Sequence, residues 1–133
     1  MTDNAQKTML IVDDDVDYLI QLEAQLRAAG FEVASANGKD EALELVKTVT
    51  PDMAILDLMM EHVDDGFTLC YELKKMNPAL PVIMVTGVAA ETGMAFDTAT
   101  QGNRDWIKAD VLLPKPVRFE QLSREIKRLL KES

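Results

Sequence analysis

The run Met53-Ala54-Ile55-Leu56 constrains the fold more than any other stretch. It is apolar without interruption, follows the turn signal Pro51-Asp52 and stops at a carboxylate, Asp57. A strand with one wet face alternates apolar and polar residues, whereas an unbroken apolar run belongs to a strand covered on both faces. Such strands occur in parallel sheets whose crossover helices pack on both sides. The chain must then supply further strands of this kind, with helices between them. A carboxylate at the carboxyl end of a buried parallel strand lies where open α/β sheets bind ligands. Asp57 is therefore a candidate site residue, although a lone Asp at a strand end also serves to cap a turn.

The rest of the chain meets this demand. Met9 to Val12 is a first apolar run, ending at Asp13-Asp14-Asp15. Val16, Leu19, Leu22 and Leu26 follow at helical spacing, with Asp15 or Asp17 placed to cap the start and Gly30 just past the end. Phe31 to Ala36 alternates and predicts an edge-side second strand. Asn37 is a candidate cap for a second helix that buries Ala42, Leu45, Val46 and Val49 and ends at Thr50-Pro51. The third strand is Met53 to Leu56, and the third helix runs from about Phe67 to Met76, burying Phe67, Cys70 and Leu73. Pro81 to Thr86 forms a fourth strand and Val111 to Leu113 a fifth, broken by Pro114-Lys115-Pro116. Between them, residues 88–109 hold a helix weakened by Gly93 and Gly102, with Trp106 and Ile107 on its buried side. A last helix from about Phe119 to Lys131 carries Leu122, Ile126 and Leu129 on one face. Strand and helix alternating five times define an α/β protein with a doubly wound parallel sheet.

Composition limits what such a domain can do. One domain is expected for 133 residues, spanning 1–133 with its core at about 8–131. The net charge of −9, from 23 acids and 14 bases, opposes direct binding to nucleic acid or an anionic membrane. A single cysteine, Cys70, allows no intrachain disulfide, and a single histidine, His62, allows no His-rich metal site. No apolar run approaches the length of a membrane span, and residues 1–7 lack the apolar segment of a signal peptide, so a cytoplasmic protein is expected.

Four strands end in polar residues: Asp13-Asp14, Asp57, Thr86 and Lys115. In a parallel sheet all carboxyl ends share one edge, so residues remote in sequence converge there. Three carboxylates brought together repel one another, and a proton or a cation relieves the repulsion. Mg²⁺ suits an all-oxygen site that keeps its waters and awaits a phosphate. Lys115 is a point-charge partner for a phosphoryl group, Thr86 a hydroxyl donor, and Gly87 permits close backbone approach. The set matches phosphoryl transfer to a carboxylate, with Asp57 as nucleophile.

These motifs carry a resemblance. Ile11-Val12-Asp13-Asp14-Asp15, Ile55-Leu56-Asp57-Leu58-Met59-Met60, Met84-Val85-Thr86-Gly87 and Leu113-Pro114-Lys115-Pro116 resemble those of the receiver domains of bacterial two-component response regulators, of the stand-alone CheY-like kind. The resemblance implies a flavodoxin-like (βα)5 fold with strand order 2-1-3-4-5. It implies that Asp57 accepts phosphate from the phosphohistidine of a sensor histidine kinase or a histidine phosphotransfer protein. It implies Mg²⁺ held by Asp14 directly, by Asp13 partly through water, by Asp57 and by the Met59 backbone carbonyl, with Thr86 and Lys115 on the phosphoryl oxygens. It also implies a cis Lys115-Pro116 peptide. Output would pass by protein–protein contact, through a phosphorylation-dependent dimer or an unknown target, on the face formed by the fourth helix, the fifth strand and the last helix. Such a protein catalyses only its own phosphorylation and dephosphorylation.

The chain departs from the family pattern in places. Glu61 stands where the family usually has Pro, and Gly66 comes one position late, so the loop after Asp57 is lengthened. Leu112 replaces the usual Tyr or Phe three residues before the lysine, and the 88–105 segment is long. Met59 and Val88, expected to flank the phosphoryl group, are apolar and predict slow hydrolysis. Two alternatives compete: a haloacid-dehalogenase-type phosphatase with Asp13 as nucleophile, for which Asp110 alone would have to serve as the late acidic pair, and a pseudo-receiver that binds without taking phosphate.

Overall fold

The structure is a computed structural model describing residues 7–57, 65–86, 110–114 and 117–132. Five strands, β1 (Thr8–Val12), β2 (Glu32–Ala36), β3 (Met53–Asp57), β4 (Val82–Thr86) and β5 (Val111–Pro114), form one parallel sheet in the order β2-β1-β3-β4-β5. The described helices are α1 (Val16–Ala28), α2 (Lys39–Leu45), α3 (Asp65–Met76) and α4 (Phe119–Glu132). The helix expected within 88–109, and Trp106 with it, lie outside the described residues.

Strand pleating sorts the core into two layers. Leu10, Val12, Ala54, Leu56, Val82 and Met84 face α2 and α3, where Ala42, Leu69, Cys70 and Leu73 close over them. Met9, Ile11, Met53, Ile55, Ile83 and Val85 face α1 and α4, covered by Leu19, Leu22, Leu26, Leu122, Ile126 and Leu129. All five residues of β3 are buried, as the unbroken apolar run requires. Fully burying each Leu or Ile contributes roughly 1.5–3 kcal/mol. The layers therefore hold the three central strands rigidly, and with them the residues at their ends.

The amino edge of the sheet is closed by reciprocal bonds. The Thr8 N–H donates to Asp52 Oδ2 and the Asp52 N–H donates to the Thr8 carbonyl, each at 2.8 Å. The outer strand β2 is partly guarded by Arg27, whose Nη2 donates to the Val33 carbonyl at 3.2 Å. Gly30, at φ 102°, takes the left-handed turn that ends α1.

Several local expectations need correction. Val16 is 52% exposed and does not join the inner face of α1. It precedes Leu26 by ten residues, which at about 100° each leaves it about 80° off that side chain's direction. Asn37 does not cap α2: Gly38 is the N-cap, and the Asn37 N–H instead donates to Glu41 Oε1 at 2.8 Å. α2 stops at Leu45 rather than at Thr50-Pro51. Tighter turn bonds from Lys47 to Glu44 and from Thr48 to Leu45 interrupt the helical ladder, ahead of the β-branched Thr48, Val49 and Thr50. α3 begins at Asp65, and its buried face is Leu69, Cys70 and Leu73, with Phe67 only half-buried.

Candidate functional site

Asp13 directly follows β1, and its N–H donates to the Ala36 carbonyl at 3.3 Å, carrying the pairing with β2 one residue further. Its carboxylate is fixed locally: Oδ1 accepts the Asp15 N–H at 2.9 Å. Asp15 in turn caps α1, its Oδ1 accepting the Tyr18 N–H at 3.2 Å. The turn from β1 into α1 is thus tied at both ends, leaving Asp14 exposed between them. Asp57 ends β3, paired opposite Val85, and Thr86 ends β4 opposite Pro114. Asp13, Asp57 and Thr86 are the three buried polar side chains among the described residues. Burial of such groups is costly unless they are paired or serve a ligand.

The carboxylates of Asp13, Asp14 and Asp57 converge, each offering an oxygen within 4.8 Å of the others. Two oxygens bound to one Mg²⁺ lie at most about 4.2 Å apart, so small side-chain rotations suffice to seat the ion. The donors are all oxygen, two buried and one exposed, which suits a hard cation that keeps part of its water shell. The acidic set therefore fits the metal.

Of the residues read from sequence, Asp13, Asp14 and Asp57 are brought together, and Thr86 ends the strand beside Asp57. Met59 and Lys115 lie outside the described residues, as do Gly87, Val88, Glu61 and His62. Leu112 is half-buried opposite Met84, packed on the α2–α3 layer. Asp110 lies at the other edge of the sheet, just before β5. There it binds Lys74 Nζ at 2.9 Å and accepts the Val82 N–H at 2.8 Å. It is remote from the acidic cluster, which removes the late acid that the phosphatase alternative needs. Sequence reading missed the Asp15 N–H bond to Asp13. The available signal was the third acid of Asp13-Asp14-Asp15 placed before a helix.

Comparisons with known proteins agree with this geometry. The sequence pattern of the response regulator receiver domain matches residues 9–127. The transcriptional regulatory protein ZraR of Escherichia coli is 34% identical over 123 residues, which are 92% of this chain and 26% of ZraR. The alkaline phosphatase synthesis transcriptional regulatory protein PhoP of Bacillus subtilis is 28% identical over 127 residues, 96% of this chain and 50% of PhoP. The chain thus spans only about a quarter to a half of these curated relatives. Among solved structures, a response regulator receiver domain protein from Clostridium thermocellum superposes with a TM-score of 0.78 at 27% identity, covering 95% of each chain. The response regulator TrrA from Thermotoga maritima, solved in complex with Mg²⁺-BeF, gives 0.73 at 26% identity, covering 92% of this chain and 98% of that one. The chain belongs to the response regulator receiver domain family.

Proposed function

We propose that this protein is a phosphoacceptor whose Asp57 takes a phosphoryl group from the phosphohistidine of a histidine kinase or a histidine phosphotransfer protein. The observation that carries the reading is the position of Asp57, buried at the end of β3, with Asp13 and Asp14 converging on it. An Asp57 carboxylate oxygen attacks phosphorus, the phosphorus–nitrogen bond breaks, and the departing imidazole nitrogen keeps the electron pair and then takes a proton. Asp13, Asp14, Asp57 and the Met59 carbonyl would hold Mg²⁺. When bound there, the ion supplies positive charge that offsets the carboxylates and the phosphoryl oxygens.

Thr86 donates its hydroxyl to a phosphoryl oxygen, consistent with its place at the end of the neighbouring strand. Lys115 follows Pro114, the register partner of Thr86, and supplies the opposing charge. Val16 and Ile20, 52% and 62% exposed and one turn apart on α1, offer apolar contact to a donor protein beside Asp14. The chain acts as one domain in the cytoplasm, catalyses only its own phosphorylation and dephosphorylation, and reports by protein contact through the surface that includes β5 and α4. Among the described residues, no helix is long and apolar enough to cross a membrane.

The test is incubation of the wild type and Asp57→Asn with acetyl phosphate and MgCl₂, followed by intact-mass measurement. The wild type should gain one phosphoryl group and the variant none. A wild type that stays unmodified, or a variant modified at Asp13, would overturn the reading.

A further inference from the structure

The three consecutive acids after β1 are placed differently. Asp13 and Asp14 converge with Asp57, whereas Asp15 stands outside that set. Its Oδ1 accepts the Tyr18 N–H at 3.2 Å, so its side chain is engaged on the first turn of α1. The Asp15 backbone is held on both sides as well. Its N–H donates to Asp13 Oδ1 at 2.9 Å, and its carbonyl accepts the Leu19 N–H at 3.0 Å. One residue thereby links a carboxylate of the site to the first turn of a helix.

That turn also lines the site from within the fold. Tyr18 and Leu19 share with Asp13 and Asp57 a crevice that has no room for a water molecule. Leu19 is buried, and Tyr18 packs on the same core layer. These are the two residues whose N–H groups Asp15 receives. The first turn of a helix lacks intrahelical partners for its N–H groups, so it depends on its cap. Without the cap, the Asp13 carboxylate would lose a firm amide tie and firm packing from α1 together.

We propose that Asp15 is a positioning residue of the metal site: its cap on α1 fixes the amide that orients the Asp13 carboxylate, and its own carboxylate does not hold the ion. The proposal rests on the receiver reading, in which Asp13, Asp14 and Asp57 hold Mg²⁺, and it assigns the third acid. A loosened turn must be reordered before the ion binds, so apparent affinity falls with the fraction of molecules that hold the competent geometry. Two other roles predict different results. Attraction of the cation by charge alone would be lost with the charge, whatever side chain replaced it. A cap that served stability alone would leave Mg²⁺ affinity unmoved.

The experiment titrates the metal-free full chain with MgCl₂, followed by amide NMR, in the wild type, Asp15→Asn and Asp15→Ala. Asn caps a helix about as well as Asp but carries no charge, and Ala caps poorly. Asp15→Asn should bind Mg²⁺ within about twofold of the wild type, and Asp15→Ala about fivefold more weakly. Before metal is added, the amide at this position should exchange slowly in the wild type and in Asp15→Asn, and faster in Asp15→Ala. Asp15→Gly also lacks a capping oxygen and costs the helix less, so it replaces Asp15→Ala if that variant does not fold. Equal affinity in all the proteins, or a loss in Asp15→Asn as large as in Asp15→Ala, would overturn the proposal. Acetyl phosphate added to the same samples keeps the two readings apart. A wild type that takes both Mg²⁺ and phosphate, with no difference among the variants, sinks only the positioning role. A wild type that takes neither sinks the receiver reading and the metal role with it.

Discussion

Asp13 and Asp57 stand side by side because Val12 and Leu56, the residues before them, are register partners on adjacent strands. The two carboxylates are buried, at 3% and 6% exposure, and Asp14 joins them from the solvent side. Backbone pairing, set by the cores above and below the sheet, thus forces like charges together. The convergence of these carboxylates is a consequence of the fold.

Relieving that repulsion should stabilise the protein. Asp13→Asn keeps an oxygen to accept the Asp15 N–H and removes one charge. In urea unfolding without divalent cations, this variant should be more stable than the wild type by about 1–3 kcal/mol. Added MgCl₂ should favour the wild type and narrow the gap, because an ion that binds only the folded form stabilises it. A variant no more stable than the wild type in the absence of metal would count against close carboxylate repulsion.

Core substitutions should separate the two kinds of large apolar residue. Leu56 is fully buried in the central strand, and Leu56→Ala should cost about 2–5 kcal/mol. Ile20 is 62% exposed, and Ile20→Ala should change stability by less than about 0.5 kcal/mol. The same unfolding experiment measures both. A large loss for Ile20→Ala would mean that this side chain is part of the core.

What sequence reading captured was set by burial and sheet topology. The continuous runs of β1, β3 and β4 and the Leu122, Ile126 and Leu129 stripe are legible because solvent exclusion dictates their composition. Asp13, Asp57 and Thr86 are legible because a polar residue ending an apolar run has few purposes. The errors lie where several weak effects compete. Val16 sits at the ragged start of a helix, where apolar spacing no longer reports which way a side chain points. The end of α2 at Leu45 depends on short turn bonds that Pro51, six residues on, does not predict. The tie between Asp15 and Asp13 runs through a backbone amide, so the third acid before the helix is the one trace it leaves in the sequence.

Asp110 is an anchor at the opposite edge from the site. It accepts both the Lys74 ammonium and the Val82 N–H, joining α3 to the start of β4. Asp110→Ala leaves the Val82 N–H without this acceptor and should cost about 1–3 kcal/mol. Lys74→Met keeps that bond and should cost less than about 1 kcal/mol, since the carboxylate stays partly exposed. Thermal unfolding of the two variants orders the effects. Equal losses would mean that the ion pair, rather than the amide bond, carries the anchor.

Cys70 should be chemically silent in the fold. It is fully buried on α3, and burial pushes its thiol up from the ordinary 9.0 to about 12, with Asp110 adding to the rise and Lys74 opposing it. The thiolate is the reactive form, so iodoacetamide should label Cys70 in urea and hardly at all in the native protein at mildly alkaline pH. The raised value also makes stability depend on pH. Below about 9 the thiol is protonated in both folded and unfolded chains and contributes no slope. Between about 9 and 12 the unfolded chain releases the proton that the folded chain retains, so stability falls as pH rises through that window. The slope from this one group is at most about 1.4 kcal/mol per pH unit. Cys70→Ala should remove it, so that unfolding free energies of wild type and variant run parallel below about pH 9 and diverge above it, with the wild type falling faster. Parallel curves throughout, or native labelling as fast as in urea, would show that the thiol is not held neutral by burial.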